Sequence, residues 1–513
     1  MRSSSQVVCT AAGLSIAMAV AIGARCYGLG QRALSNDEAY SWRIATYSAS
    51  DLIQRTRDDA HPPLYYLLLK SWVALLGDSE LSLRGLSILF AVTSIPLAYL
   101  LCLELARQTD LELQPPTLRT KGGGLLAAAL VAIHPAQVAP TQTARMYSLG
   151  VMLVLLSSWL ILRALYSAKR PFVWWALYAC IAACFCYTHY YALFSVCAQW
   201  LYAAGILYLG ARGRQVSADG YGVWGLCLAI GIVFGSYCPW LGTLMAQAGD
   251  VYRQFWIPPV TAGSVVQSLS LWGPGIEGQG MIAVCIWIGV VAAYFVLLCH
   301  RQSNGRWFVV LQAGIPWILG VIVSVGMRRS IFLDRYLVFA QVFTLIFWGI
   351  VWTWIDGRIL SALGAAFIGG NCIVGAWSNA GLVRGTIPPI VQAVDVLKER
   401  HHAGDMVLVN MPGAVNRFRY YANRRGFDTI DIRCIRVESS EKGHILHQAS
   451  LDKEDFYLGN ADFAEQKRLW KAFDSVPAFS DSTPAGMEVA FERTFWDHEN
   501  YRCVLILYTR PIE

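Results

Sequence analysis

Charged residues are scarce in this sequence of 513 residues. Lysine, arginine, aspartate and glutamate make up 15% of it and hydrophobic residues make up 56%, whereas charged residues average about 25% of soluble domains. The apolar residues also fall in long blocks rather than in the alternating pattern of a soluble core. The composition therefore excludes an ordinary soluble protein and predicts a polytopic α-helical membrane protein.

The sequence contains no Asn-x-Ser/Thr acceptor site. Such sites are typical of proteins that pass through a glycosylating lumen, so their absence favours a bacterial plasma (inner) membrane. The 14 cysteines show no spacing typical of metal ligands. Cys434 and Cys503, the two in the polar C-terminal region, either form a disulfide or lie buried as thiols.

The net charge of +7 comes from basic residues in short loops between apolar runs. Basic residues placed in this way orient helices in a membrane, and they do not indicate a nucleic-acid partner because they form no basic face. The apolar run 7–29 is long enough to span a bilayer and predicts an uncleaved first helix rather than a signal peptide. Ten further spans are predicted at residues 84–106, 123–140, 146–166, 172–190, 191–210, 221–243, 278–299, 307–326, 336–355 and 359–380.

The apolar segment 62–77 decides the topology. If it crossed the membrane as a twelfth helix, the loop arginines and lysines that follow would face outward, against the positive-inside rule. We therefore predict a helix that lies in the outer interface or re-enters it. The resulting eleven crossings place the acidic stretch near residue 37, and everything after residue 380, on the extracytoplasmic side.

The composition changes after residue 380, where charges become frequent and the apolar blocks shorten. Strand-like runs at 406–409, 429–433 and 504–508, with helix-like segments at 390–400 and 416–423, predict an α/β layout. We therefore predict two domains, a transmembrane domain over residues 1–380 and an extracytoplasmic α/β domain over residues 381–513.

An acidic pair, Asp37-Glu38, follows the first predicted helix. A carboxylate at the level of the outer headgroups can act as a general base toward an acceptor hydroxyl or amine, or it can hold the hydroxyls of a sugar. Alternatively, the pair is an interfacial acid that pairs with Arg32 or Arg43. His61, which precedes Pro62-Pro63, either contacts a phosphate oxygen or caps a helix that starts at the prolines.

Several arginines are predicted on the outer side of the membrane. Guanidinium groups bind phosphate in bidentate geometry and are costly in a bilayer without a partner, and an anionic lipid carrier would provide that partner. The alternative is ordinary snorkelling to headgroup phosphates. These residues are Arg84, Arg145, Arg328, Arg329 and Arg335.

Several motifs together resemble one family. They are Asp37-Glu38-Ala39-Tyr40, Asp59-Ala60-His61-Pro62-Pro63, Gly77-Asp78-Ser79-Glu80-Leu81-Ser82-Leu83-Arg84, His134-Pro135, Thr143-Ala144-Arg145-Met146-Tyr147-Ser148-Leu149, Asp334-Arg335-Tyr336-Leu337 and Gly404-Asp405-Met406-Val407-Leu408-Val409. With them the chain resembles the dolichyl-phosphate-mannose protein mannosyltransferase superfamily, whose bacterial branch includes the aminoarabinose transferases. All its members are GT-C class integral membrane glycosyltransferases.

The resemblance implies an inverting glycosyltransferase that moves a sugar from a polyprenyl-phosphate donor to an acceptor on the outer side of the membrane. It implies that residues 1–380 form the catalytic domain, that Asp37 is the general base and that Glu38 assists in donor or acceptor binding. The residues implied to hold the donor phosphate are His61, Arg84, Arg145 and Arg335. Further candidates for lining the substrate site are Tyr40, Asp59, Tyr147, His189 and Tyr190.

The acceptor stays open between a glycolipid, an envelope glycan and a protein. The sequence departs from the eukaryotic mannosyltransferases in that their extended luminal repeat domain is not found in it, which counts against a protein acceptor. A monophosphate donor requires no metal cofactor, although Asp37-Glu38 could hold a divalent ion. Tyr420-Tyr421 and Arg424-Arg425 are interpreted as surface residues or acceptor contacts.

Two other functions stay open from the sequence. A transporter or flippase of lipid-linked sugars would also carry apolar helices and phosphate-binding arginines, but transporters bind near the bilayer midplane and contain internal repeats. A non-catalytic partner in an envelope assembly would use the C-terminal domain for binding.

Overall fold

The computed structural model describes residues 2–107, 117–166, 171–211, 221–253, 257–268, 304–354, 370, 388–409, 412–427, 430–435, 456–457, 468–474, 487–496 and 502–509. The chain forms two compact units. The first comprises Met1–Tyr27, His61–Tyr65 and Arg84–Gly381, and the second comprises Gly28–Ala60, Tyr66–Leu83 and Leu382–Glu513. The second unit thus combines most of the first predicted outer loop with the C-terminal region, and the sequence-based boundary at residue 380 stays a prediction.

The described elements are mostly helices, with strands confined to the C-terminal region. In chain order the helices are α1 (Arg2–Cys26), α2 (Asn36–Thr46), α3 (Ala49–Arg57), α4 (Leu64–Leu76), α5 (Glu80–Arg107), α6 (Leu118–Ile133), α7 (Pro135–Val138), α8 (Tyr147–Tyr166), α9 (Pro171–Cys186), α10 (Tyr191–Ala211), α11 (Tyr221–Arg253), α12 (Ala262–Ser268), α13 (Asn304–Gly326), α14 (Val338–Trp354), α15 (Pro389–Arg400) and α16 (Pro412–Arg424). Short 3-10 turns cover Ala139–Gln142 and Asp334–Tyr336. The strands are β1 (Met406–Val409), β2 (Asp431–Ile435), β3 (Phe456–Tyr457), β4 (Arg468–Asp474), β5 (Glu488–Trp496) and β6 (Arg502–Thr509).

Six of the described helices are long and apolar enough to cross a membrane, namely α1, α5, α8, α10, α11 and α13. A seventh span results if α6 and the segment Pro135–Gln142, which bend by 65° at their junction, cross together. The predicted span 278–299 lies outside the described residues, and so does 359–380 apart from residue 370. The total of eleven crossings therefore stays a prediction.

The segment 62–77 forms the short helix α4. Its 13 residues reach about 20 Å at 1.5 Å per residue, less than the roughly 30 Å of a hydrocarbon core. Gly77 ends the helix with a φ of 75°, a left-handed conformation that glycine adopts without steric cost, and its N–H donates to the carbonyl of Val73 at 2.8 Å. Gly77 therefore ends α4 after Leu76, and the placement of this segment in the outer interface stays a prediction.

The break between α6 and α7 is held by polar side chains. His134 leaves the helical conformation, with a φ of −63° and a ψ of 130°, and its side chain accepts from the N–H of Ala136 to begin α7. The buried guanidinium of Arg25 in α1 donates to the carbonyls of Ala132 at 2.5 Å and Val131 at 3.2 Å. A cation at a helix C-terminus is favourable because it meets the negative end of the helix dipole, so Arg25 fastens α1 to this break.

Small residues allow α6 and α14 to approach closely in the first unit. A Cβ added to Gly123 would lie 2.3 Å from the carbonyl oxygen of Gly349, and one added to Gly349 would lie 2.6 Å from the carbonyl oxygen of Gly123. Helices in membranes pack through such small residues because the backbones can come into contact. Larger residues at either position would push the two helices apart.

The second unit contains a six-stranded sheet in the order β3-β2-β1-β4-β6-β5. Strand β1 pairs in parallel with β2 and β4, whereas β6 pairs antiparallel with β4 and β5. Apolar side chains of these strands, among them Leu408, Leu469 and Tyr508, pack into a buried core. The predicted α/β layout is therefore confirmed, with α16 beginning at Pro412 rather than at residue 416.

Cys434 and Cys503 are both buried and both free. They lie on β2 and β6, which β1 and β4 separate in the sheet. Three strand spacings of about 4.8 Å put them about 14 Å apart, beyond the roughly 7 Å between Cα atoms that a disulfide tolerates. Of the two alternatives that the sequence allows, the structure contains the buried thiols.

The interpretation of Tyr420-Tyr421 as surface residues is wrong. The two side chains are 0% and 3% exposed, and their rings pack edge to face with centroids 5.0 Å apart. Both tyrosines lie on the face of α16 that contacts α2 within the second unit. The local sequence, in which Arg419 precedes the pair and Ala422-Asn423 follow it, did not indicate this burial between two helices.

Candidate functional site

The acidic pair lies in the first turn of α2, and a capping box explains why the helix begins there. The hydroxyl of Ser35 accepts from the N–H of Glu38 at 3.3 Å, and the Glu38 carboxylate accepts from the N–H of Ser35 at 2.9 Å. This reciprocal pair satisfies two backbone donors that a helix start would leave open. Two acids in the first turn also favour the helix through its dipole.

The two acids consequently have different environments. Glu38 is 2% exposed and its carboxylate takes part in the cap. Asp37 is half-buried, and its backbone carbonyl accepts from the hydroxyl of Ser41 at 3.0 Å. The structural task of Glu38 could have been read from Ser35-Asn36-Asp37-Glu38, which matches the capping-box pattern.

Two other predicted residues of the second unit are buried. Tyr40 is 0% exposed and packs edge-on against Tyr66, with ring centroids 5.8 Å apart. Asp59 is 8% exposed.

An aromatic cluster surrounds His189 in the first unit. The rings of His61, Tyr147, Tyr191 and Tyr336 have their centroids 5.6, 6.1, 5.9 and 4.8 Å from that of His189. We call these five residues the His189 cluster. The cluster forms where several elements begin or end. His61 precedes α4, Tyr147 begins α8 and His189 lies between α9 and α10. Tyr191 begins α10, and Tyr336 lies in the turn before α14.

His189 itself is a buried hydrogen-bond donor. Its side chain is 3% exposed, and Nδ1 accepts from the backbone N–H of Tyr191 at 3.2 Å. In the neutral ring the proton therefore lies on Nε2. That atom is buried and meets no acceptor in the described part of the chain, so it can donate to a bound ligand.

Burial and two nearby arginines keep His189 neutral. Burial contributes most, and the positive charges of Arg145 and Arg335 add to it, so that the pKa of His189 is lowered from 6.5 to about 3. Arg145 is 4% exposed, and the guanidinium carbon of Arg335 lies 5.8 Å from the centroid of the Tyr336 ring. The structure thus brings two of the predicted phosphate-binding arginines together with His61 around a neutral donor.

Arg84 lies near the start of α5 and is 1% exposed. One turn later, the hydroxyl of Ser87 donates to the carbonyl of Arg145 at 3.1 Å and lies 3.2 Å from the hydroxyl of Tyr65. Because residues three apart share a helix face, this contact links the face of α5 that carries Arg84 to the segment that carries Arg145.

The side chain of Tyr190 contacts a different helix from that of its neighbour His189. Its hydroxyl donates to the side chain of Gln247 and accepts from Trp240 Nε1 at 3.1 Å. Both partners lie on α11, so the structure does not bring the Tyr190 hydroxyl into the His189 cluster. Among the described residues, no group of three or more His, Cys, Asp or Glu side chains could hold a metal ion.

Some residues of the first unit were missed from the sequence. Gln137 donates to Gln341 Oε1 at 2.5 Å, and Gln341 lies 3.2 Å from His134 Nδ1. Arg25 and Gln137 also line a small cavity, together with Tyr147. A lone arginine at the end of an apolar helix was the available signal for Arg25, because such a charge needs a buried partner.

The fold of this chain is that of the GT-C glycosyltransferases, the class that the sequence motifs resemble. No protein-family model matches the sequence, and a search of curated proteins returned no match. Among solved structures, ArnT from Cupriavidus metallidurans in the apo state matches with a TM-score of 0.59 and 12% identity, over 99% of this chain and 98% of that chain. The same protein bound to undecaprenyl phosphate matches with a TM-score of 0.57 and 12% identity, over 96% of this chain and 97% of that chain.

Two larger proteins share the fold. The archaeal oligosaccharyltransferase AglB from Archaeoglobus fulgidus, in complex with an inhibitory peptide and a dolichol-phosphate, matches with a TM-score of 0.52 and 10% identity over 80% of this chain. The arabinofuranosyltransferase AftD from Mycobacteria matches with a TM-score of 0.53 and 13% identity over 98% of this chain. The chain spans 63% of the AglB chain and 40% of the AftD chain.

Proposed function

We propose that this chain is a glycosyltransferase that moves a sugar from a polyprenyl-phosphate donor to an acceptor, with inversion at the anomeric carbon. The observation that carries the proposal is that His189 has a buried Nε2 donor and that the positive charges of Arg145 and Arg335 act on the same ring. The fold supports it, because ArnT shares that fold and its solved structure contains undecaprenyl phosphate.

The His189 cluster suits the phosphate of such a donor. The leaving group carries negative charge, and pre-positioned cations and N–H donors stabilise charge that develops as a bond breaks. Arg145 and Arg335 supply the cations, and His189 supplies a donor whose low pKa keeps it from adding a third charge. We assign His61 and Arg84 to the same phosphate, as the motif resemblance implies.

Asp37 is proposed as the general base. The acceptor hydroxyl or amine attacks the anomeric carbon, the bond from that carbon to the phosphate oxygen breaks, and polyprenyl phosphate leaves with the electron pair. The proton of the acceptor passes to the Asp37 carboxylate. Glu38 keeps the start of α2 in place through its cap and borders the base in the sequence.

The remaining candidates are proposed to line the sugar and acceptor site, among them Asp59, whose side chain is largely buried. The others are Tyr40, Tyr147 and Tyr190. We further propose a multi-pass protein of a bacterial inner membrane, with the reaction and the C-terminal domain on the extracytoplasmic side. The acceptor class stays open between a glycolipid, an envelope glycan and a protein.

Substitution of Asp37 tests the enzyme directly. In detergent or proteoliposomes, with a radiolabelled polyprenyl-phosphate sugar and envelope extract as the acceptor source, Asp37→Asn is expected to lower the transfer rate by about 10²- to 10⁴-fold. Glu38→Gln is the matched control, since glutamine also forms a capping box, and it should keep transfer within a few-fold. Undiminished transfer by Asp37→Asn would remove this residue from the mechanism.

A flippase of lipid-linked sugars is the second candidate, and the 65° break between α6 and the segment Pro135–Gln142 favours it. Transporters commonly bind their substrate at discontinuous helices. Movement of the labelled lipid between leaflets of proteoliposomes, with no labelled product in the presence of acceptors, would support the flippase and contradict the transferase.

A further inference from the structure

We propose that the C-terminal α/β domain positions the acidic helix, with Tyr420 and Tyr421 of α16 as the positioning residues. The role of Asp37 in this inference rests on the proposed function. Both tyrosines are buried within the second unit, and each reaches a different part of the chain around α2.

Tyr421 reaches the segment before α2. Its hydroxyl accepts from the backbone N–H of Leu34 at 2.8 Å, in a bond between residues 387 positions apart. Leu34 is 0% exposed and directly precedes Ser35, the N-cap of α2. A buried backbone N–H needs an acceptor, and for Leu34 the C-terminal domain provides it. The entry into the capping box is therefore tied to α16.

Tyr420 reaches the body of α2 through Asp78. Its hydroxyl donates to the backbone carbonyl of Asp78 at 3.0 Å, and the Asp78 carboxylate accepts from Nε1 of Trp42 at 2.9 Å. The ring of Trp42 also packs edge to face on that of Tyr420, with centroids 5.2 Å apart. Arg424, one turn further along α16, lies 3.8 Å from the Asp78 carboxylate.

The phenol of Tyr420 remains a donor at any physiological pH. Burial and the nearby charge of Glu80 raise the pKa of Tyr420 well above its usual range. The neutral hydroxyl therefore keeps its proton for the Asp78 carbonyl. The contact does not depend on the pH at which transfer occurs.

The two contacts hold α2 on both sides of its acids. Leu34 lies before the first turn and Trp42 lies beyond it, while Asp37 and Glu38 lie between them. A base must stay within hydrogen-bond reach of the proton that it removes, and displacement by about 1 Å can lower a rate by about 10²-fold. Loosening either contact should therefore reduce transfer without touching the residues assigned to the donor phosphate.

The test uses three conservative substitutions in the full-length protein: Tyr421→Phe, Tyr420→Phe and, as the control, Tyr508→Phe. Tyr508 is a buried tyrosine of the same domain, but it packs in the sheet core on β6. Hydrogen exchange of the amides of residues 34–42 is measured by mass spectrometry. Transfer is measured in parallel as kcat and as KM for the polyprenyl-phosphate sugar.

We expect Tyr421→Phe to raise exchange at residues 34–42 and to lower kcat about tenfold, with KM for the donor unchanged. Tyr420→Phe should have the same effect to a lesser degree, and Tyr508→Phe should change neither quantity.

Unchanged exchange in both α16 variants would overturn the proposal. Raised exchange with an unchanged kcat would overturn it as well, provided that Asp37→Asn inactivates the enzyme. If Asp37→Asn leaves transfer intact while Tyr421→Phe raises exchange and lowers kcat, the positioning stands and the assignment of the base fails.

Discussion

At the start of α2, the carboxylate of Glu38 accepts a hydrogen bond from the backbone of its own helix, whereas Nε2 of His189 meets no acceptor among the described residues. Both groups are almost fully buried, at 2% and 3% exposed. A buried polar group that the chain satisfies stabilises the fold, but one that the chain leaves unsatisfied costs about 1–3 kcal/mol. The chain therefore satisfies the buried carboxylate of Glu38 itself, whereas Nε2 of His189 keeps a hydrogen bond that a ligand could accept.

The largest effect expected in the His189 cluster comes from its arginines. Arg145→Gln should lower transfer by about 10²-fold, because removal of one pre-positioned donor to a developing charge has that effect in other enzymes. Binding of the donor lipid should weaken as well, as measured by retention of labelled polyprenyl phosphate. Arg328→Asn is the matched control, since Arg328 is exposed and has a φ of 53°, a conformation that asparagine tolerates. Equal losses in the two variants would show that the effect is not specific to Arg145 and would contradict its assignment to the donor phosphate.

A smaller effect is expected at His189. His189→Phe removes the Nε2 donor and should weaken binding of polyprenyl phosphate about tenfold, as expected for the loss of a hydrogen bond to a charged group. His189→Gln places an amide N–H near the position of Nε2 and should restore most of the affinity. If the His189→Phe variant binds the lipid as tightly as the unaltered protein, then Nε2 does not donate to the lipid. The contrast between an unsatisfied His189 and a satisfied Glu38 would then have no bearing on ligand binding.

The smallest effect is a pH dependence of stability. Because the folded pKa of His189 is about 3 and its ordinary value is 6.5, the unfolded chain binds a proton between these values that the folded chain excludes. The free energy of unfolding should therefore fall as the pH falls from about 6.5 toward 3. Thermal unfolding in detergent at about pH 7 and about pH 5 should show a smaller loss for His189→Gln than for the unaltered chain. Equal losses would mean that His189 is protonated in the folded state.

Local signals in the sequence predicted much of the fold. Long apolar runs indicated the helices that can span a membrane, and short apolar runs indicated β1 and β6. The start of α16 was predicted too late because Pro412-Gly413 resembles a turn, although proline is also favoured in the first turn of a helix. Ser35, three residues before Glu38, matches the capping-box pattern and could have predicted that the Glu38 carboxylate caps α2.

Contacts between distant residues account for what the sequence did not predict. The bond from Leu34 to Tyr421 joins residues 387 positions apart, and those from Arg25 to α6 join residues more than 100 positions apart. Neither contact leaves a periodic pattern, because each uses a backbone N–H or carbonyl group, and these groups are shared by nearly all residue types. The neutrality of His189 likewise depends on burial and on two arginines from distant segments.

The discontinuous second unit has a consequence for how the chain can change over generations. Trp42, Asp78 and Tyr420 lie in three separate segments but share one set of contacts. A substitution at any one of them should be accompanied by changes at the other two in related sequences. Recombination that exchanged residues 382–513 between distant relatives would separate these partners, so the first outer loop and the C-terminal domain should be inherited as a pair.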